Sequence, residues 1–374
     1  MSAGPQSIVF AVGEFPPPVT GNSKVTESVS SRLETYDSIH FKRINVSGRS
    51  QNAMLKKGQK TLNYLGACLQ LAANRGTRAR RLYLVCEGRS GLPFTLFLVW
   101  FARVVEYEVF LQHHSFGYIN QPHSLMRKIN ASLGAASRHV FLSDGMAEAF
   151  FQLYRPDRRY SVGHNLAYIG SFWARARRTT RPRPYGAKAL KVGLLSNLEF
   201  EKGLDTFIHL ADLAAQENLP IEFRLAGPVN SATEHAFLDA AMHRLDGRLH
   251  YHGGLYGEDK VQFFRDLDVF VFPTRYYHEA QPIVLHEALA AGCAVISVDR
   301  GCIAEDLHAM GGFVVPRERS QDPQAYLELL QPLLADRSEL ARVRARSLRL
   351  TRQRAKEAVE ATNRWLNEMV HETT

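Results

Sequence analysis

Between Asp268 and Val298 the chain spells out a complete strand, loop, helix and strand, and no other stretch restricts the fold as tightly. DVFVF (268–272) is a short β-branched and aromatic run that stops at Pro273. The next apolar pattern, IVLHEALAAG, has helical spacing and closes on Gly292, a natural C-cap residue, before a second apolar strand, AVISV (294–298). Glu279 falls in the loop and Glu287, eight positions on, in the helix. In open α/β sheets ligands bind beyond the carboxyl ends of the strands, so carboxylates there are placed to accept hydrogen bonds from sugar hydroxyls.

The same alternation runs through the whole chain of 374 residues, a length that suits two domains. Apolar runs at 7–12, 82–86, 108–112 and 139–142 alternate with helical stretches such as Thr61 to Ala73. A second series lies at 191–195, 222–226, 248–252, 268–272, 294–298 and 312–315. Between its first two strands, Leu204, Phe207, Ile208 and Ala211 repeat as a half-buried helix does. The two series are separated by ARARRTTRPRPYGAKAL (174–190), which has two prolines, a glycine and no apolar periodicity, and so reads as a linker. The expected organisation is an α/β protein of two doubly wound parallel sheets, with domains at 1–173 and 191–350 and a C-terminal helical segment at 351–374.

The stretch from Phe270 to Glu305 resembles the retaining glycosyltransferases of family 4. Glu279 and Glu287 fall on the two glutamates of that family's E-x7-E motif, and Ala288 to Val295 on the small-residue helix end. Gly301, Ile303 and Glu305 fall on its glycine turn. The resemblance implies the GT-B fold, two Rossmann-like domains facing across a cleft, with the last helix crossing back to the first domain. It also implies donor contacts. Lys202, in LSNLEFEKGLDTFI, falls on the lysine that contacts the donor diphosphate, with the amides around Gly203 expected to point at the same anion. Glu287 falls on the ribose-binding glutamate, while Glu279 and the backbone of Ala280 and Gln281 face the transferred sugar. Gly253 and Leu255 fall on turn positions that border the base. Gly21, in EFPPPVTGNS, would permit close approach of backbone to phosphate or acceptor.

Two departures stand out. Asn197 replaces the family's phosphate-binding arginine, and Arg275 is offered as the substitute cation, although an exposed loop arginine explains it equally well. Ala280-Gln281-Pro282 is a variant of the usual motif, similar to that of bacterial surface-polysaccharide enzymes. His113 and His114 end a strand where relatives place a sugar-binding histidine; strand alternation favours His114 as the one facing the site. Asp266-Leu267-Asp268 imitates a metal-binding D-x-D but precedes a strand, so no catalytic metal and no cofactor beyond the nucleotide diphosphate sugar are expected. A non-catalytic scaffold, an epimerase of the same fold and a phosphorylase are the rivals, and the last lacks a recognisable cofactor-lysine context.

Charge is distributed unevenly: residues 1–173 carry 20 Lys/Arg against 10 Asp/Glu, 174–187 carry 5 against 0, and 188–374 carry 21 against 27. A basic front half fits an anionic membrane surface or a phosphorylated lipid acceptor, and equally a solvated basic surface. Arg78, Arg80 and Arg81, and Arg155, Arg158 and Arg159, are the clusters expected to touch such a surface. Nucleic acid is disfavoured, since no matching motif accompanies the charge. Without a signal-peptide pattern, an apolar run of spanning length or CxxC spacing, the expectation is a cytoplasmic protein, peripheral at most to the membrane, with thiols at Cys68, Cys86, Cys293 and Cys302. A glycan or lipid-linked acceptor completes the expected partners.

Overall fold

A computed structural model describes residues 7–17, 20–48, 52–77, 79–155, 159–178 and 189–371. The chain divides into two compact units, Met1–Tyr168 with Glu357–Thr374, and Ile169–Lys356.

The first unit carries β1 (Ser7–Gly13), β2 (Ile39–Asn45), β3 (Ala79–Cys86), β4 (Glu108–His113), β5 (Arg138–Phe141) and β6 (Tyr160–Val162). They form one parallel sheet in the order β2-β1-β3-β4-β5-β6. The second unit carries β7 (Leu190–Leu195), β8 (Ile221–Ala226), β9 (Leu249–Tyr251), β10 (Val269–Phe272), β11 (Ala294–Val298) and β12 (Phe313–Val315). Its sheet is also parallel, in the order β12-β11-β10-β7-β8-β9. Helices connect consecutive strands in both units, a doubly wound α/β arrangement.

The central strands explain why the pattern was readable. Every residue of β1, β10 and β11 is buried, as continuous apolar runs are when helices cover both faces of a parallel sheet. Helix Leu204–Gln216 buries Leu204, Phe207, Ile208 and Ala211. Each such side chain contributes about 1.5–3 kcal/mol when removed fully from water.

Each sheet reverses its winding once, between β1 and β3 in the first unit and between β7 and β10 in the second. Ligand sites in such sheets form beyond the strand ends at these reversals. Gly13, Glu14, Glu87 and Gly88 stand at the first one, and Ser196, Asn197, Pro273 and Thr274 at the second.

Three expectations change. Residues 174–178 of the expected linker belong to helix Gly170–Arg178, since alanine and arginine are good helix formers and the prolines come only at 182 and 184; residues 179–188 lie outside the described residues. Helix Arg337–Val370 runs unbroken, and its residues from Glu357 onward pack with the first unit, where Trp365 is buried against Tyr83 and Phe110. Of the two arginine clusters, Arg155 and Arg159 are exposed, whereas the cluster at Arg80 and Arg81 is not a free basic face. Arg80 pairs with Glu106, and buried Arg81 pairs with Glu108 and the carbonyl of Val370. Arg78 and Arg158 fall outside the described residues. The four cysteines are buried and unbridged, and no helix among the described residues is long and apolar enough to cross a membrane.

Candidate active site

In the second unit the chain leaves β7 through Ser196 and Asn197, makes a short 3-10 turn at Phe200–Lys202, and enters helix Leu204–Gln216 at Gly203. Gly203 has φ +86°, and a Cβ there would lie 2.2 Å from the carbonyl oxygen of Pro273, so only glycine lets the two strand ends meet. Lys202 is thereby aimed at the loop after β10. Its Nζ lies 2.8 Å from Oε2 of Glu279 and 4.1 Å from the centre of the Tyr276 ring. Thr274 Oγ1 donates to the same Glu279 oxygen at 3.0 Å and accepts from the Tyr276 amide at 3.2 Å. Glu279 is buried.

Glycine acts a second time behind this loop. Gly301 has φ +58°, and a Cβ would fall 2.4 Å from the carbonyl oxygen of Ala280. The Cys302 amide donates to that same oxygen at 2.7 Å, which holds the segment Glu279–Gln281 against the start of helix Ile303–Met310. Gln281 Nε2 reaches Oδ1 of Asp306 at 3.2 Å, and the Nε2 of His286 lies 3.1 Å from its Oδ2. The buried Asp306 thus ties the loop to helix Ile283–Ala290.

Glu287 sits on that helix, as expected, and is buried and ion-paired with Lys260 of helix Gly257–Asp266. All eight residues of its helix but one are buried, so the helix has scarcely an outer face. Gly253, with φ +67°, and the half-buried Leu255 border the turn after β9, where the Gly253 carbonyl accepts from the Gly227 amide at 2.7 Å.

Asn197 is exposed. Arg275, offered as the substitute cation, has its guanidinium against both carboxylate oxygens of Asp205, at 2.7 and 2.9 Å. The amides at the helix start do not face outward. That of Gly203 donates to Phe200 O at 2.9 Å and that of Leu204 to Glu199 O at 3.3 Å, inside the 3-10 turn. The cation that the sequence reading missed is Arg300. It is half-buried, donates to the Tyr276 carbonyl at 3.5 Å, and has a buried Nε without a hydrogen-bond partner among the described residues. Burial lowers its pKa from the ordinary arginine value, Arg317 adds to the effect, and the charge of Glu279 opposes it. The one signal in the sequence was its place just before the Gly301 turn. For Lys260, Thr274 and Tyr276 there was none.

Asp268, the second acid of the D-x-D run, immediately precedes β10. It accepts from the Lys191 amide at 3.1 Å and from Arg344 at 3.1 Å, which fixes the start of β10.

In the first unit the two histidines separate in role. His113 is wholly buried; Nδ1 meets Tyr118 Oη at 2.8 Å and Nε2 meets His139 Nδ1 at 2.8 Å. That removes it as a contact for substrate, because a sheet covered on both faces buries either side of the strand. His114, one residue past β4, is half-buried, and its Nε2 is a buried atom without a hydrogen-bond partner among the described residues. Burial lowers its pKa to about 4, so the ring is neutral near pH 7 and can exchange hydrogen bonds with a hydroxyl.

At the winding reversal of this sheet is a cavity of about 170 Å³, lined by Gly13, Glu14, Asn22, Thr26, Val85, Glu87 and Gly88. Lys60 reaches Glu87 at 2.5 Å and Glu14 at 3.3 Å, and Tyr64 donates to Glu87 at 2.7 Å. Gly21 is the exposed first residue of helix Gly21–Leu33, behind a Thr20–Ser23 capping box.

Residues 189–336 match the family Glycosyl transferases group 1. No curated protein matches the chain. Among solved structures, the chain is similar to HepE of Anabaena in complex with UDP, at TM-score 0.68 and 16% identity over 96% of this chain and 99% of that one. A trehalose-phosphate synthase from Burkholderia vietnamiensis aligns at TM-score 0.66 and 12% identity, covering 97% and 99%. The sucrose-phosphate synthase of Thermosynechococcus elongatus aligns at TM-score 0.63 and 14% identity, covering 97% and 96%. At these identities the likeness establishes the fold.

Proposed function

We propose that the chain, whose residues 189–336 match the family Glycosyl transferases group 1, is a retaining, metal-independent glycosyltransferase of the family 4 type. It moves a sugar from a nucleotide diphosphate donor to a hydroxyl of a glycan or lipid-linked acceptor. The observation that carries this reading is the Lys202–Glu279 pair at the winding reversal of the second sheet, with Arg300 beside the same loop. UDP and UDP-glucose bound to HepE support a uridine nucleotide as donor.

In this reading Lys202 leaves Glu279 and pairs with the leaving diphosphate, Arg300 supplies the second positive charge that Asn197 cannot, and Glu279 turns to a hydroxyl of the transferred sugar. The bond from the anomeric carbon to the phosphate oxygen breaks, and the bond to the acceptor oxygen forms on the same face. The acceptor proton passes to the departing phosphate. Glu279 is not assigned as a nucleophile: in this reading it accepts from a hydroxyl of the transferred sugar, and the acceptor oxygen itself forms the new bond to the anomeric carbon. Lys260 and Glu287 together take the ribose hydroxyls, one donating and the other accepting. The cavity walled by Glu14 and Glu87 receives acceptor hydroxyls, which carboxylates accept from readily. His114 offers its ring nitrogen to a sugar hydroxyl.

A calorimetric screen of nucleotide diphosphates, followed by NMR of the product's anomeric configuration with and without EDTA, tests each part. Tight binding of one diphosphate, an anomer that matches the donor and indifference to EDTA are expected. Failure of every nucleotide diphosphate to bind would overturn the reading.

A further inference from the structure

Two helices of the first unit present apolar side chains outward as well as inward. Helix Ala53–Ala73 turns Tyr64, Ala67, Cys68 and Leu71 into the core. On another face, Leu55, Leu62 and Leu69 follow one another every seven residues and are 62%, 68% and 73% exposed. Seven residues are close to two helical turns, so these leucines form one stripe. Its neighbour Leu92–Val104 does the same with Phe97, Trp100 and Val104. The helices pack against each other, with the Tyr64 and Phe94 rings stacked at 5.0 Å. Scattered exposed leucines are ordinary, but two neighbouring helices each presenting an apolar stripe form a patch that needs a partner.

Charge points to which partner. Helix Ala53–Ala73 has no acidic residue in its first turn and instead begins with exposed Lys56 and Lys57. Lysines at that end oppose the helix dipole and cost helix stability, whereas an anion in front of them is favoured by both the dipole and the ammonium groups. Leucine and tryptophan on one face with lysine at its border is the composition of helices that lie in the headgroup region of a bilayer.

We infer that the outward faces of helices Ala53–Ala73 and Leu92–Val104 dock this chain on an anionic lipid bilayer. Leu62, Leu69 and Trp100 enter the acyl boundary while Lys56 and Lys57 meet the lipid phosphates. This surface is distinct from the arginine clusters that composition suggested, and it stands independently of the transfer chemistry proposed above.

The test is co-sedimentation of the full chain, without donor or acceptor, on phosphatidylcholine vesicles with and without phosphatidylglycerol. The chain is expected to partition onto the anionic vesicles and to blue-shift its tryptophan emission there. Trp100→Phe should remove most of that shift, because Trp365 is buried and Trp173 half-buried. The Leu62→Asn/Leu69→Asn variant should lose at least about tenfold in partitioning at low and high salt alike, from the lost apolar burial. Lys56→Glu/Lys57→Glu should lose about tenfold or more, at low salt only, as screened charges do. These positions are exposed, so the variants fold. Three results would each overturn the inference: no partition onto anionic vesicles, leucine variants that bind as the unaltered chain does, or a lipid-free dimer that the leucine variant abolishes, which would assign the patch to a second copy.

Discussion

Lys202 and Glu279 neutralise one another across 2.8 Å, so the ammonium proposed to hold a leaving diphosphate already has an anion. A phosphate must therefore compete with Glu279 before it gains Lys202. This gives the two residues opposite signatures. Lys202→Ala is expected to lower kcat by roughly 10²–10³, the usual loss when a preorganised charge facing the developing negative charge is removed. Glu279→Gln should bind the bare nucleotide diphosphate as tightly as the unaltered chain or more tightly, because the competing carboxylate is gone, and yet turn over more slowly. Titration calorimetry with the diphosphate, set beside kcat, checks both. Weaker diphosphate binding in Glu279→Gln would show that the pair does not exchange partners.

Arg300 and Arg275 are adjacent to the same loop but differ in what holds them. Arg275 is engaged bidentately by Asp205, and Arg300 has an open Nε. Arg300→Ala is expected to reduce kcat/KM by about tenfold to a hundredfold, the scale of a lost charge-assisted hydrogen bond. Arg275→Ala should act chiefly on the melting temperature. Equal kinetic losses in the two variants would return Arg275 to the site.

The sequence made the fold plain because covered parallel strands are apolar on both faces, as β1, β10 and β11 are. It hid β2 and β6 for the matching reason. β2, IHFKRIN, is an edge strand with only Ile39 and Ile44 buried, and β6 is three residues long with none buried. At the site, Glu279 and Glu287 were legible because local spacing places them on a loop and a helix, and Lys202 through the resemblance of its segment to the family motif. Lys260 and Arg300 reach their partners only through tertiary packing, which no spacing encodes, and Thr274 reaches Glu279 and the Tyr276 amide through the conformation of their shared loop. The histidine pair was misjudged in one respect: alternation says which side of a strand a residue faces, but not that both sides are buried.

Glu287 and Lys260 form a buried pair, with side chains only 4% and 13% exposed, so removing one partner leaves the other uncompensated. Glu287→Ala is expected to cost about 3–5 kcal/mol of stability as well as donor affinity. Replacing both residues, Glu287→Gln with Lys260→Met, should recover most of the stability but none of the affinity. A thermal melt separates the two effects. A Glu287→Ala variant as stable as the unaltered chain would show that the pair is not buried in solution.

His114 predicts a pH dependence of stability. Burial lowers its pKa from 6.5 to about 4, so on acidification the unfolded chain takes up the proton first. The contribution from keeping the ring neutral is complete above 6.5 and is lost as pH falls toward 4; at about 1.4 kcal/mol per pH unit the loss reaches up to about 3 kcal/mol. His113, whose pKa burial and His139 also lower, adds a slope of the same sign. His114→Gln keeps a hydrogen-bonding side chain but cannot titrate, so its melting temperature should fall less than that of the unaltered chain between neutral pH and about pH 5. Both should melt alike above neutrality. If the two proteins lose stability in parallel on acidification, His114 is solvated in the folded chain, and its role as a neutral partner for a sugar hydroxyl falls with it.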